Sequence, residues 1–488
     1  MFHFLLIISL FFLLCLIKKR TLNVLVLLIG SVFIFVEFIS HHTLRTSLNE
    51  FAWFYMNSEL VLETIHNFKN EVFVFILGIL VFVVLMFFIV KYFQIFIGKI
   101  KSKSKNNIKL FVNSFLIIGL ALSLFFLENN HHVFKNLYDI YDSKHMSSNV
   151  KIKDIYAKYG FNSNEIKSRN EIKAKPGKNI VVLLLESTEN AFFDEKIYPN
   201  LMPYLKSLKD DSSWTFSDKL REVNYGSFGS RYSLLTGMPF SSLFTHNEML
   251  NNVTRVNMLG IGDILKAAGY NLEVILPSQF AKADYLFSIY HFKYLISKED
   301  FNNNGIYNIK DNGWGGYMDK DIFELAKVRY DELANYTKPF IQFVVTINVH
   351  FPKGICDDRL PLVNDCMQSA VKNQDMFIKE YIEHISKNPK YKDTIVLIVP
   401  DHLSMSAEMA KIHKDSDRTL FYFINRNKDI IKIDTEKYFN YHYFAQKLLD
   451  LAEVDSNSKL LSVLNNNENS LTKEEVNIIT KEMWGMKR

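Results

Sequence analysis

The sequence predicts a membrane-anchored α/β protein, in which bilayer-spanning helices precede a domain built on a mainly parallel sheet. Three observations predict it. Four apolar runs crowd the first 127 residues, at 2–17, 22–40, 72–97 and 110–127. Five short, continuous apolar runs follow residue 178, at 179–186, 272–276, 340–347, 394–399 and 420–424. Helical patterns lie between them, as at 260–268 and 320–330. These features divide the chain into a four-helix membrane part (1–127), a polar connector (128–178) and an outer domain (179–488).

The membrane part comes first. A spanning helix needs roughly 20 mostly apolar residues, and three of the four runs meet or approach that. The first run is short, as a signal peptide would be. It lacks a basic start and its bases follow the apolar stretch, so it reads as a span. Lys18, Lys19 and Arg20 lie between the first two runs, and Lys99, Lys101, Lys103, Lys105 and Lys109 between the last two. Positive loops stay cytoplasmic. Both termini and everything after residue 127 are therefore expected outside. The loop 41–71 carries Phe51, Trp53, Phe54 and Tyr55, aromatics suited to the membrane interface. Glu37 lies near the outer end of its span, where it can reach water.

Charge excludes one class of partner. The first 127 residues hold eleven Lys and Arg against five Asp and Glu, and the whole chain is only +5. The positive excess thus sits in the apolar quarter, where it sets orientation, and no nucleic-acid partner is expected. A hydrophobic content of 48% excludes disorder, and 3 cysteines exclude a small disulfide scaffold.

The connector ends in Lys175-Pro176-Gly177-Lys178. The strand runs that follow are apolar throughout, as in a sheet covered on both faces. Ligands of such sheets gather at the carboxyl ends of the strands. Glu186 closes the first run, His350 follows the third, and Asp401 and His402 follow the fourth. Two carboxylates and an imidazole at one sheet edge make a divalent-metal site. The segment 226–237, Gly-Ser-Phe-Gly-Ser-Arg-Tyr-Ser-Leu-Leu-Thr-Gly, sets Ser227 just before a helical run. A helix start favours an anion, and a serine oxygen there is a candidate nucleophile. Arg231 is a candidate fork for a phosphate or carboxylate.

The spacing Ser227-x-x-Ser230-Arg231-x-x-Leu234-Leu235-Thr236-Gly237 resembles the sulfatase signature of the alkaline-phosphatase superfamily. Leu185-Glu186-Ser187, the 198–205 stretch, the 260–270 helix, Asn348-Val-His350-Phe-Pro352 and Pro400-Asp401-His402 resemble motifs of one branch. That branch holds membrane-bound lipoteichoic acid synthases, phosphoglycerol transferases and phosphoethanolamine transferases. The resemblance implies an alkaline-phosphatase-like α/β domain beneath four transmembrane helices. It implies one divalent ion, Zn²⁺ or Mn²⁺, held by Glu186, Ser227, Asp401 and His402. Ser227 would be the nucleophile and His350 would act on the transferred group. Arg231, Lys282, Trp314 and His350 would bind substrate. The implied reaction moves phosphoglycerol or phosphoethanolamine from a membrane phospholipid to an envelope glycan or lipid acceptor, through phospho-Ser227. The implied place is the inner (cytoplasmic) membrane, multi-pass, with the catalytic domain on the periplasmic or outer face. The alternative is a membrane-anchored sulfatase or phosphodiesterase that hydrolyses sulfate or phosphate esters.

The chain departs from that pattern in three places. Relatives present Thr at the nucleophile position, and Trp and Arg where this chain has Phe280 and Lys282. Gly229 stands where formylglycine sulfatases carry Pro or Ala. Cys356 and Cys366 follow His350 closely; outside the cytoplasm they can form a disulfide, the alternative being two free thiols.

Overall fold

The computed structural model describes residues 2–17, 20–39, 69–103, 106–131, 138, 141, 151–159, 162–221, 226–240, 257–278, 283–313, 315–351, 353–405, 418–431, 433–461 and 471–483. The chain forms two compact units, Met1–Met146 and Ser147–Arg488.

The first unit holds four helices: α1 (Phe2–Leu16), α2 (Arg20–Ile39), α3 (Lys69–Lys103) and α4 (Asn106–His131). No proline interrupts them, since all ten lie at or beyond Pro176. The third apolar run extends further than expected. Lys99, Lys101 and Lys103 prolong α3 instead of forming a loop, because lysine is a good helix former and suits the negative end of the helix dipole. Within α3, Ile76–Ile100 is long and apolar enough to cross a membrane. The other apolar helical stretches among the described residues, Ile7–Leu16, Val24–Phe33 and Leu110–Phe125, are shorter.

Helix α1 packs against α4, α2 and α3, with Leu10, Leu14, Leu27, Met86 and Val90 at the centre. Two polar contacts fix its position. Ser9 Oγ donates to Ser123 Oγ at 2.9 Å. Gln94 donates to the carbonyls of Leu14 and Ile17 at the carboxyl end of α1. The outward residues of α3, such as Leu80, Val84 and Phe88, are exposed and apolar.

The second unit is built on an eight-stranded sheet. Its strands are β2 (Asn179–Leu185), β3 (Thr215–Arg221), β4 (Asn271–Ile275), β5 (Lys293–Leu295), β6 (Phe340–Val345), β7 (Thr394–Pro400), β8 (Leu420–Ile424) and β9 (Phe439–Asn440). The order is β5-β4-β6-β2-β7-β8-β3-β9, and only β8 runs against the rest. All seven residues of β2 are buried. Val181, Leu183 and Leu185 join a core with Ile322, Phe323 and Phe377. Ile180, Val182 and Leu184 are equally buried on the other face. Burial on both faces explains why these strands read as unbroken apolar runs.

Register positions the site. Leu184 aligns with Val345 of β6, and Leu185 with Pro400 of β7. The residues that follow, Glu186, Thr346 and Asp401, therefore emerge side by side.

Residues 151–159 and 162–178, part of the expected connector, fold onto this unit. Helix α5 (Ile152–Lys158) buries Ile155 and Tyr156. Glu475, on the later helix Lys473–Met483, bonds Lys158 Nζ at 2.6 Å and Tyr159 Oη at 2.8 Å. Strand β1 (Ala174–Lys175) pairs with β10 (Asp455–Ser456). Apolar residues in an otherwise polar stretch supply the docking surface.

Candidate active site

The site begins at the turn after β2. Glu186 is 3% exposed. Its N–H donates to Thr346 Oγ1 at 2.8 Å. Thr346 Oγ1 also accepts from Gln374, whose carbonyl oxygen accepts from Thr188. After β7, Asp401 and His402 are likewise buried. Asp401 Oδ1 accepts from the N–H groups of Ser187 (2.9 Å) and His402 (2.8 Å).

Helix α6 (Gly226–Thr236) starts earlier than its apolar run suggests, so Ser227 lies in its first turn. Gly226, at φ 59°, supplies the left-handed entry. Ser227 Oγ donates to Glu186 Oε2 at 3.2 Å and lies 3.3 Å from His402 Nε2. Ser230 Oγ ties the same helix to the Asp401 carbonyl.

His402 Nε2 is 3.4 Å from Glu186 Oε1 and 3.6 Å from Asp401 Oδ2. Its Nδ1 lies 2.8 Å from the Leu403 carbonyl. A carbonyl can only accept, so Nδ1 carries a proton and Nε2 faces the carboxylates.

Electrostatics follow from burial. Burial and the charge of Glu186 raise the Asp401 pKa. Burial opposes ionisation of Glu186 too, but the charge of His350 and the hydrogen bond and charge of His402 hold its carboxyl well below the usual range. Burial works against a charged His402, yet Asp401 and Glu186 together push it up to about 10. Among the described residues, the ion pairs to Glu186 and Asp401 all come from His402. One ligand atom from each of Glu186, Asp401 and His402 lies within 4.8 Å of the others. Two carboxylates and one imidazole, with the Ser227 hydroxyl beside them, are a donor set that suits a divalent cation.

His350 is half-buried in the turn after β6 and stacks on Phe351 with ring centroids 4.7 Å apart. Its Nδ1 lies 2.8 Å from the Phe351 carbonyl, which assigns the proton to Nδ1. Burial lowers its pKa, and the charges of His402 and Arg231 add to that effect. Asp319, the first residue of helix α7 (Asp319–Asn335), accepts from the N–H groups of Ile347 and Asn348 and fixes this turn. Burial pushes Asp319 up to about 7.

Arg231 lies one helical turn beyond Ser227. Its Nε is buried, with no hydrogen-bond partner among the described residues. Cys356 and Cys366 form a disulfide that ties the segment after His350 to the start of helix α8 (Cys366–Ile385). Gly354, at φ +73°, leaves no room for a side chain, because a Cβ there would meet the Met367 backbone at 2.8 Å.

Lys282 and Trp314 lie outside the described residues, as do Phe280, Pro352 and the aromatic loop of residues 51–55. Sequence reasoning missed Ser187, Thr346, Gln374 and Asp319. It also missed a buried pair, Glu189 and Arg418. Glu189, fully buried, accepts from Arg418 Nε at 2.8 Å and from the Ser404 N–H at 2.9 Å. Glu189 stands three residues after Glu186, but nothing in the sequence points to Arg418, 229 positions away.

A mainly parallel sheet with this acid, imidazole and hydroxyl cluster at its carboxyl edge defines an alkaline-phosphatase-like α/β domain. The Sulfatase family model matches residues 178–454, more than half of the chain, and the chain belongs to that family. It is 28% identical over 266 residues to phosphoglycerol transferase I of Escherichia coli O127:H6, a match covering 51% of this chain and 34% of that protein. The chain thus spans about a third of the length of the curated relatives it matches. A protein of the alkaline phosphatase superfamily from Vibrio parahaemolyticus superposes with a TM-score of 0.49 at 20% identity, covering 68% of this chain and 82% of that one. The lipoteichoic acid synthase LtaP from Listeria monocytogenes gives 0.48 at 16% identity, covering 65% and 82%.

Proposed function

We propose that this chain transfers a phospho-headgroup from a membrane phospholipid to an envelope glycan or lipid, through a phosphorylated Ser227. One observation carries the reading. Ser227 Oγ, in the first turn of α6, lies within 3.3 Å of both a buried carboxylate and a buried imidazole. A divalent cation, Zn²⁺ or Mn²⁺, would be held by Glu186, Asp401, His402 and Ser227, and supplies Lewis-acid stabilisation of a serine alkoxide and of phosphate charge.

The chain's own groups do the rest. Ser227 Oγ loses its proton and forms a bond to phosphorus as the ester oxygen of diacylglycerol leaves and takes up a proton. Arg231 and the free N–H groups of the first turn of α6 bind the phosphoryl oxygens. His350 holds its Nδ1 proton on the Phe351 carbonyl and presents Nε2. It is the base that takes the proton of the acceptor hydroxyl as that oxygen bonds to phosphorus and the Ser227 Oγ–phosphorus bond breaks, the proton being returned to Ser227 Oγ to restore the hydroxyl. The names of the curated relatives favour phosphoglycerol over phosphoethanolamine as the group moved. The donor's home in the bilayer accounts for a membrane unit. We read α1–α4 as four spans in the inner membrane, with the second unit on the periplasmic or outer face.

The test uses a phospholipid labelled in its headgroup phosphate. Wild-type chain retains label on the peptide containing Ser227 and releases diacylglycerol. Ser227→Ala is expected to lose both while its melting temperature holds. An active Ser227→Ala protein sinks the mechanism. Formylglycine at position 227 in the peptide mass would instead favour the sulfatase reading.

A further inference from the structure

We propose that Ser187 is a positioning residue that orients both carboxylates of the site, and that its hydroxyl, more than its backbone, sets their affinity for a cation. The proposal rests on the metal reading given above.

Ser187 is the residue after Glu186 and is fully buried. Its φ is 50°, a left-handed conformation that a residue with a side chain adopts at a cost. Glycine would take that φ without strain, so the presence of serine calls for a reason. The turn aims its two polar groups at different carboxylates. The N–H donates to Asp401 Oδ1 at 2.9 Å. The Oγ–H donates to Glu186 Oε1 at 2.7 Å. Asp401 lies 214 positions from Ser187 in the chain.

The consequence is a division of labour between oxygens. Asp401 Oδ1 receives two N–H donors, from Ser187 and His402, which leaves Oδ2 turned to His402 Nε2 at 3.6 Å. Glu186 Oε1 is pinned by the Ser187 hydroxyl, and Oε2 is directed at Ser227 Oγ at 3.2 Å. One buried residue, through its hydroxyl and its backbone N–H, thereby occupies one oxygen of each acid and leaves the other free of it. A hydrogen bond donated to a carboxylate also fixes its rotamer, and groups that only orient ligands typically govern affinity by about 10–100-fold.

Two variants separate hydroxyl from backbone. Ser187→Ala keeps the strained φ and removes the hydroxyl; Ser187→Gly removes both strain and hydroxyl. Zn²⁺ affinity is measured on the full chain in detergent by competition with a chromophoric chelator, beside the melting temperature of each metal-free protein. The expected result is that both variants bind Zn²⁺ about 10–100-fold more weakly, with metal-free melting temperatures near wild type. Wild-type affinity in both variants overturns the proposal. So does a loss confined to Ser187→Ala, which would assign the effect to strain, or a loss that merely tracks a lowered metal-free melting temperature. A wild-type chain that binds no Zn²⁺ overturns the metal reading itself, whereas normal wild-type binding with unaffected variants overturns only the role of Ser187.

Discussion

At the scale of single residues, Arg231 carries the most exposed prediction. A guanidinium whose Nε is buried with no hydrogen-bond partner among the described residues is costly unless an anion completes it. It also acts electrostatically on His350 and Tyr441, which supports its proposed role as a phosphate fork. Hydrogen bonds to charged groups contribute roughly 1.5–3 kcal/mol. Arg231→Ala is therefore expected to lower kcat/KM for the phosphodiester about 10–150-fold, with little change in melting temperature. Arg231→Lys should not restore it, because a point charge lacks the planar fork. Steady-state kinetics on the two variants decide this. Glu186, Ser227, Asp401 and His402 were legible because strand ends and helix starts are local features of sequence. Ser187 and Thr346 were not, because a positive φ and a hydroxyl bridging two strands leave no trace in residue order.

At the scale of elements, the docking of α5 is the clearest departure from expectation. Its anchor, Glu475, accepts from Lys158, Tyr159 and the Thr472 N–H. Burial opposes its charge, but these partners, Lys158 foremost, bring its pKa down to about 2. A carboxylate with a depressed folded-state pKa stabilises fully above its unfolded value near 4.5, and that stability is lost as pH falls through about 2. Glu475→Gln is thus expected to melt below wild type at pH 6, with the gap closing as the pH approaches 2. Melting curves of both proteins across that range test it, and a gap independent of pH would refute it. Strand β3 went unread for a different reason. Its residues, Thr-Phe-Ser-Asp-Lys-Leu-Arg, are mixed in polarity and only partly buried. Its pairing with β8 also contains a register shift between Ser217 and Leu220. Strands buried on both faces announce themselves by composition; a strand near the sheet edge does not.

At the scale of the whole molecule, the charge split gives a topology that can be tested without any assay of catalysis. The bases near Lys101 are predicted inside and the second unit outside. In spheroplasts of a chain with its native cysteines replaced by serine, Lys298→Cys should react with a membrane-impermeant maleimide. Lys101→Cys should react only after lysis. The opposite pattern would invert the topology and remove the site from the proposed envelope acceptor.

The residue order by itself determined where apolar runs, strand ends and basic clusters fall. It therefore determined the α/β class, the apolar helices of the first unit and the four residues proposed to hold the cation. Each depends on near neighbours in the chain or on position at a strand end. Tertiary structure alone decided that Glu186 Oε2 faces Ser227, that residues 151–159 and 162–178 dock within the second unit, and that Arg418 braces Glu189 from 229 positions away. Those outcomes depend on groups brought together by sheet register and burial, and hydrogen-bond geometry at 3 Å is fixed only once the whole sheet has closed.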